Sequence, residues 1–189
     1  MATKKKQNSA VKMVVLVAIG AALYGLGGII SVPIFAETSL KPAMAILALF
    51  AGCYGPFVGF LVGFLGHWIT DLFMGWGVWP TWMLGSGIVG IVIGLFVNLS
   101  GNCIEKGEFG NKQIVLFIIL SFIGNFVGYT ISAVLDYLLF AEPLNKVFVQ
   151  MILVATTDTL CIGILGTLLM KLVANRNKQN QNLELDEEK

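Results

Sequence analysis

The sequence predicts an all-α integral membrane protein, a six-transmembrane-helix bundle with both termini cytoplasmic. Three observations carry that expectation. Of 189 residues, 57% are hydrophobic and 12% charged, where a soluble domain carries about 25% charged residues. The apolar residues gather into runs broken by short polar or glycine-rich connectors. The few charges crowd into the two ends and those connectors, with lysine and arginine shared unequally between the two sides.

The first apolar run, 12–32, is long enough to span and lacks a cleavage site of the signal-peptide kind, so it is expected to remain as a helix. The second and third, 42–54 and 56–74, are separated only by GCYGP, and the shorter of them is the weakest expected crossing. Spans four, five and six are expected at 79–100, 112–140 and 145–172. The domain organisation is thus a basic N-terminus at 1–11, a membrane domain at 12–174 and a polar tail at 175–189. That tail lacks aromatics and is expected to be disordered.

With six spans both termini share a side, which holds Lys4, Lys5, Lys6, Lys12, Lys106, Lys112, Lys171, Arg176, Lys178 and Lys189. Only Lys41 and Lys146 fall opposite, so the ends are expected inside and the connectors at 32–41, 74–79 and 140–145 outside. A net charge of +1 gives no reason to expect nucleic acid. Cys53, Cys103 and Cys161 fall in separate segments without paired spacing, which predicts neither a disulfide framework nor a zinc site.

Polar residues inside the apolar runs are the candidate functional groups, because a charged aspartate at mid-bilayer costs about 2.5–3.5 kcal/mol on insertion scales. GFLVGFLGHWITDLF at 59–73 carries His67 and Asp71, four residues apart and so on one helical face. Either the two form a mutual clamp or they face a ligand. Span five carries Asn125, Tyr129, Ser132 and Asp136 at spacings of 4, 3 and 4, a polar stripe. Span six carries Gln150 in its outer third and Asp158 near mid-membrane, within Thr156 to Thr159. At the outer boundary GWGVWPTWM places Trp76, Trp79 and Trp82, as an interfacial belt or as the walls of a pocket for a flat heteroaromatic ligand.

Small residues mark close helix contacts. Gly55, Gly59 and Gly63 are spaced by four on a ridge that runs into His67 and Asp71, and span four repeats the theme with Gly87, Gly90 and Gly94. In AIGAALYG of span one, Ala18 and Ala22 form one small-residue pair and Ala21 with Gly25 a second beside it, for packing within the bundle or for docking a partner helix. The chain has no GxxxxGK[ST] loop for ATP, no HExxH, no GxSxG, and one histidine only. Such a bundle, with an outward polar pocket and no engine of its own, reads as a capture subunit. A membrane-embedded enzyme using His67 and the acids, and a scaffold without a small-molecule site, are the rival classes.

The stretch LALFAGCYGPFVGFLVGFLGHWITDLF, followed by WPTWMLGSGIVGIVIGLF, resembles the substrate-binding S components of energy-coupling factor (ECF) transporters, in particular the ECF-type riboflavin transporter S component family. The likeness runs from about Met13 to Leu172, and YGPFVGF and GHWITD are its most specific elements. It implies a six-helix fold of the S-component type in a bacterial cell membrane. It also implies capture of a small vitamin or precursor, with hydroxymethylpyrimidine, pyridoxine and riboflavin as candidates, and no enzymatic activity in this chain. The implied partners are a transmembrane coupling subunit and two ATPases that use ATP and Mg; this chain itself is expected to hold no cofactor and no metal.

Under the same resemblance Ala18 and Ala22 match the docking motif for the coupling subunit. The loop from Ser31 to Lys41 would close over the site, with Glu37 and Lys41 as lid candidates. The expected ligand contacts are His67, Asp71, Trp79, Trp82, Asn125, Tyr129, Asp136 and Asp158. One departure stands out: relatives often carry a basic residue just before the aspartate, where this chain has Thr70, and that difference points to a neutral ligand.

Overall fold

The computed structural model describes the backbone of residues 2–187 and the side chains of residues 10–183. Lys4, Lys5, Lys6 and Lys189, which contribute to the expected orientation, carry side chains outside the described residues. The chain forms α1 (Ala2–Gly27), a hairpin of β1 (Val32–Phe35) and β2 (Thr38–Leu40), then α2 (Met44–Tyr54), α3 (Pro56–Met74), α4 (Pro80–Leu99), α5 (Asn111–Phe140), α6 (Leu144–Cys161) and α7 (Thr167–Glu187). A π-helical turn, Ile162–Gly166, joins α6 to α7 without a break in the helix.

Among the described residues five stretches are long and apolar enough to cross a membrane: Ala10–Gly27, Pro56–Met74, Pro80–Leu99, Asn111–Phe140 and Leu144–Leu183. The segment read as span two forms the 11-residue α2. At 1.5 Å per residue that is about 16 Å, roughly half the hydrocarbon thickness of a bilayer. Its short length follows from the chemistry at both ends. Gly55, at φ 93, breaks the helix before Pro56 starts α3, and the residues ahead of Met44 pair as strands. Most of α2 is buried, with Met44, Leu47, Ala48 and Ala51 at 0% exposure, and it packs against α3, α4 and the π turn.

The exterior is apolar and the interior partly polar, the reverse of a soluble protein. Leu72, Phe73, Leu138, Leu139 and Leu172 are exposed, while Ser86, Ser121, Asn125 and Ser132 are fully buried. A lipid surround rewards that distribution, because polar groups in hydrocarbon must find partners inside the bundle.

The tightest contact is the antiparallel seam of α3 on α4. Methyl groups built at Gly59 and at Gly90 would each run into the other's backbone carbonyl, and one at Gly63 would strike the Ser86 carbonyl. A methyl at Gly94 would come within 2.5 Å of the Pro56 backbone. The ridge read from the sequence is thus a backbone-to-backbone contact that only glycine permits. On the other side of α4, Gly128 of α5 sits under the Gly85 carbonyl, which a methyl would meet at 2.6 Å.

The C-terminal segment departs from its expected disorder. α7 runs on to Glu187 because residues 167–187 contain neither glycine nor proline. The α4–α5 connector also holds it, with Asn177 Nδ2 donating to the Ile104 carbonyl at 2.9 Å and Gln181 Nε2 to the Glu105 carbonyl at 2.8 Å.

Gly90→Val should destabilise the protein by at least about 1–3 kcal/mol, the usual range for overpacking, seen as a lowered thermal unfolding midpoint in detergent. Gly163→Ala, whose added methyl meets nothing within 4 Å, should stay within about 0.5 kcal/mol of the parent. Equal midpoints for the two variants would contradict the seam.

Candidate functional site

A cavity of about 630 Å³, counting its open mouth, lies between α3, α4, α5 and α6 under the hairpin. The seam sets its inner wall, because the register that pairs Gly63 with Ser86 brings His67 of α3 against Ser86 of α4. His67 Nδ1 lies 2.6 Å from the Ser86 hydroxyl and His67 Nε2 lies 3.5 Å from Asp71 Oδ1. The pair is satisfied when Nε2–H points to Asp71 and Nδ1 accepts the serine proton. Ser86 also stands 3.4 Å from the Tyr129 hydroxyl, which donates to Asp158 Oδ2 at 2.9 Å. One buried line of polar groups thus joins Asp71 on α3 to Asp158 on α6 through α4 and α5.

The opposite wall is built on Asp136 of α5. It accepts from the Thr81 hydroxyl and, at 2.5 Å, from the Trp82 indole N–H, both on α4. The Trp82 ring lies tilted against Tyr129 at 5.7 Å between centroids. Trp79 stands on the Asp71 side rather than across from it: its backbone amide donates to Asp71 Oδ2 at 3.3 Å and its indole N–H to the Trp76 carbonyl at 3.2 Å. Trp76, Trp79 and Trp82 all line the cavity, so the aromatic cluster serves as a wall.

The hairpin is the roof. Ala36 and Glu37 make its turn, Glu37 taking a left-handed φ of 52. β2 turns Thr38 and Ser39 inward, where both are buried. Gln150 of α6 donates to the Ala36 carbonyl at 2.8 Å, and Lys146 bridges Glu37 at 3.1 Å and Glu142 at 3.0 Å. The hairpin is therefore strapped to α6 across the cavity mouth. Lys41 follows it, buried, with Nζ 5.3 Å from the Trp76 ring centroid. Burial pushes the Lys41 pKa down, and the charges of Asp158 and Asp71 oppose that shift.

Of the residues expected at the site, His67, Asp71, Trp79, Trp82, Tyr129, Asp136 and Asp158 all line the cavity, as do Glu37 and Lys41 of the loop. Asn125 does not. Its amide lies a helical turn below Tyr129 and bonds the Ser121 carbonyl at 2.9 Å and the Thr159 hydroxyl at 3.2 Å, tying α5 to α6. Thr70 faces the other way, donating to the Gly25 and Gly66 carbonyls in the α1–α3 contact. The difference at position 70 therefore concerns helix packing, and the argument from it to a neutral ligand falls. Ala18 is exposed on α1 and Ala22 is half-buried, whereas Ala21 and Gly25 are buried, Gly25 against Ile69. The two small-residue pairs thus divide, one turned inward and one left on the outer face.

Sequence reasoning missed Thr81, Ser86 and Glu142 in this setting. Ser86 lies among the glycines of span four and reads as a packing residue. Only the helix register that aims it at His67 reveals its partners.

The protein-family model described as "ECF-type riboflavin transporter, S component" matches residues 8–175. A UPF0397 protein of Vibrio atlanticus is 57% identical over 178 residues, covering 93% of this chain and 98% of that protein. One from Aliivibrio fischeri is 56% identical over 178 residues, covering 93% and 97%. A UPF0397 protein of Lactococcus lactis is 40% identical over 181 residues, covering 94% and 98%.

Lys146→Ala should loosen the roof. Amide exchange at Ser39 and Leu40 should accelerate roughly two- to fivefold, the range expected for a partly exposed ion pair, while exchange in α3 stays unchanged.

Proposed function

This chain belongs to the ECF-type riboflavin transporter S component family, and from that premise we propose that it is the substrate-capture subunit of an ECF-type importer. Its ligand is a small water-soluble vitamin or vitamin precursor, with hydroxymethylpyrimidine, pyridoxine and riboflavin as candidates. The observation that carries the proposal is the roofed cavity, walled by three tryptophans and floored by hydrogen-bonded acids. In this reading His67, Asp71, Trp79, Trp82, Tyr129, Asp136 and Asp158 contact the ligand, and Asn125 acts only by holding α5 to α6. The hairpin with Glu37 and Lys41 is the lid.

The membrane domain, residues 12–174, has six crossings, α2 supplying the short one. Both termini lie in the cytoplasm of a bacterial cell, and the cavity mouth opens outside. The excess of lysine at the ends and the α4–α5 connector supports that orientation. The chain carries no cofactor. It associates with a transmembrane coupling subunit and two ATPases, which use ATP and Mg, and it delivers its ligand by toppling on the coupling subunit. The outward small-residue face at Ala18 and Ala22 is the proposed docking ridge, since small side chains let a partner helix approach closely.

Ala22→Trp should abolish vitamin uptake by cells expressing the whole transporter while leaving ligand affinity of the purified chain unchanged. Normal uptake by a correctly inserted Ala22→Trp protein would remove the docking claim. His67→Ala and Asp71→Asn should each weaken ligand binding by about 1–3 kcal/mol, roughly 5- to 150-fold, in a titration of the purified chain. Unchanged affinity with lowered thermal stability would instead make the pair an internal clamp.

A further inference from the structure

The polar inventory of the cavity identifies the class of ligand, on the reading that the cavity is the capture site. Four of its charged groups are already matched. Lys146 donates to Glu37 and Glu142 at the rim, and Asp136 is held by the neutral donors of Thr81 and Trp82. Below the rim remain Asp71, Asp158 and Lys41, two carboxylates against one ammonium. Asp71 has the Trp79 amide and His67 beside it.

Asp158 is incomplete. Its Oδ2 accepts from Tyr129, but Oδ1 has no hydrogen-bond partner among the described residues, although the residue is only 1% exposed and lines the cavity. The Ser39 hydroxyl, on the roof at 2% exposure, is unpartnered as well. Lys41 makes no ion pair among the described residues and rests over the face of Trp76.

With Asp158 ionised its free oxygen only accepts, so its complement must donate. A carboxylate or phosphate ligand could meet Lys41, yet it would leave Asp158 Oδ1 unmatched and add negative charge beside Asp71 and Asp158. A ring carrying an amino group meets both needs, with N–H for Asp158 and a ring nitrogen to accept from Lys41. Its flat face suits Trp76, Trp79 and Trp82. We infer that the ligand is an amino-substituted nitrogen heteroaromatic, uncharged or cationic, whose amino group donates to Asp158 Oδ1, and that anionic molecules are rejected. Among the candidate vitamins this favours an aminopyrimidine over pyridoxine, which has no amino group.

The test is a binding titration of the full chain in detergent, followed by tryptophan fluorescence, since Trp76, Trp79 and Trp82 of the four tryptophans line the cavity. The probes are 4-amino-5-hydroxymethyl-2-methylpyrimidine, the same molecule without its amino group, its phosphate ester, thiamine, nicotinate and pantothenate. We expect saturable binding of at least one of the two unphosphorylated amino compounds. Loss of the amino group, or addition of the phosphate, should weaken binding at least about tenfold. Asp158→Leu, which removes the acceptor, should erase the preference for the amino form, and the comparison of probes on the parent chain holds even if that variant does not fold.

Equal binding with and without the amino group overturns the inference, as does an unchanged preference in Asp158→Leu. Saturable binding of nicotinate or pantothenate that His67→Ala abolishes overturns it too, while leaving the capture reading intact. No saturable binding by any probe counts against the capture reading and the inference together.

Discussion

The glycine seam between α3 and α4 is the constraint on which the rest of the structure depends. Where Gly59 meets Gly90 and Gly63 meets the Ser86 carbonyl, the two backbones are in direct contact and no side chain can intervene. That contact fixes the register of α3 against α4, and the register alone decides that His67 meets Ser86 at 2.6 Å. From Ser86 the polar line continues to Tyr129 and Asp158, so the placement of groups on α5 and α6 is referred back to the same seam. Leu or Val at these positions would fill the same hydrocarbon surround equally well, but would hold the helices too far apart for side chains as short as serine to connect them.

The second constraint is the cost of polarity in a bilayer. Asp71, Asp136 and Asp158 are each nearly inaccessible to solvent, and a charged aspartate near mid-membrane costs about 2.5–3.5 kcal/mol. The bundle offsets this unevenly. Asp136 is met by two side-chain donors and Asp71 by a backbone amide and a histidine, whereas Asp158 is served on one oxygen only. Several polar side chains outside the cavity are met within the bundle. Ser121 and Thr157 bond carbonyls of their own helices, and Asn125 bonds both its own helix and Thr159. Unpartnered buried side-chain atoms occur in the cavity, at Asp158 Oδ1 and Ser39 Oγ, and outside it, at Ser31, Ser100, Asn125 and Thr167; among the described residues Asp158 alone of these is an acid.

Helical spacing alone made much of this legible. The four-residue interval puts His67 and Asp71 on one face, and the same arithmetic links Tyr129 with Asp136, all of which reach the cavity. Spacing does not say how deep a cavity extends, so Asn125, on the same stripe, was indistinguishable from Tyr129 although it lies below the floor. Nor does it give the rotation of one helix against the next. Thr70 precedes Asp71 by one residue, about 100° around the helix, and so faces α1. The hairpin was hidden because its strands, VPIF and TSL, are too short to show alternation, and its anchors are Lys146 and Gln150, more than a hundred residues away. The short α2 was ambiguous for a related reason: an apolar run of its length reads equally as a thin crossing or as a buried core helix.

The central claim is that the cavity captures a small water-soluble molecule without help from any partner. The measurement that tests it most directly is a thermal-shift titration of the detergent-purified chain against riboflavin, hydroxymethylpyrimidine, pyridoxine, thiamine, pantothenate, biotin and folate. A true ligand should stabilise the protein saturably, by about 2.7 kcal/mol at one hundred times its dissociation constant. That stabilisation should disappear in a variant with Trp82 and Asp158 both replaced by alanine. A well-folded protein that responds to none of these compounds, or one whose stabilisation survives the double replacement, would contradict the account.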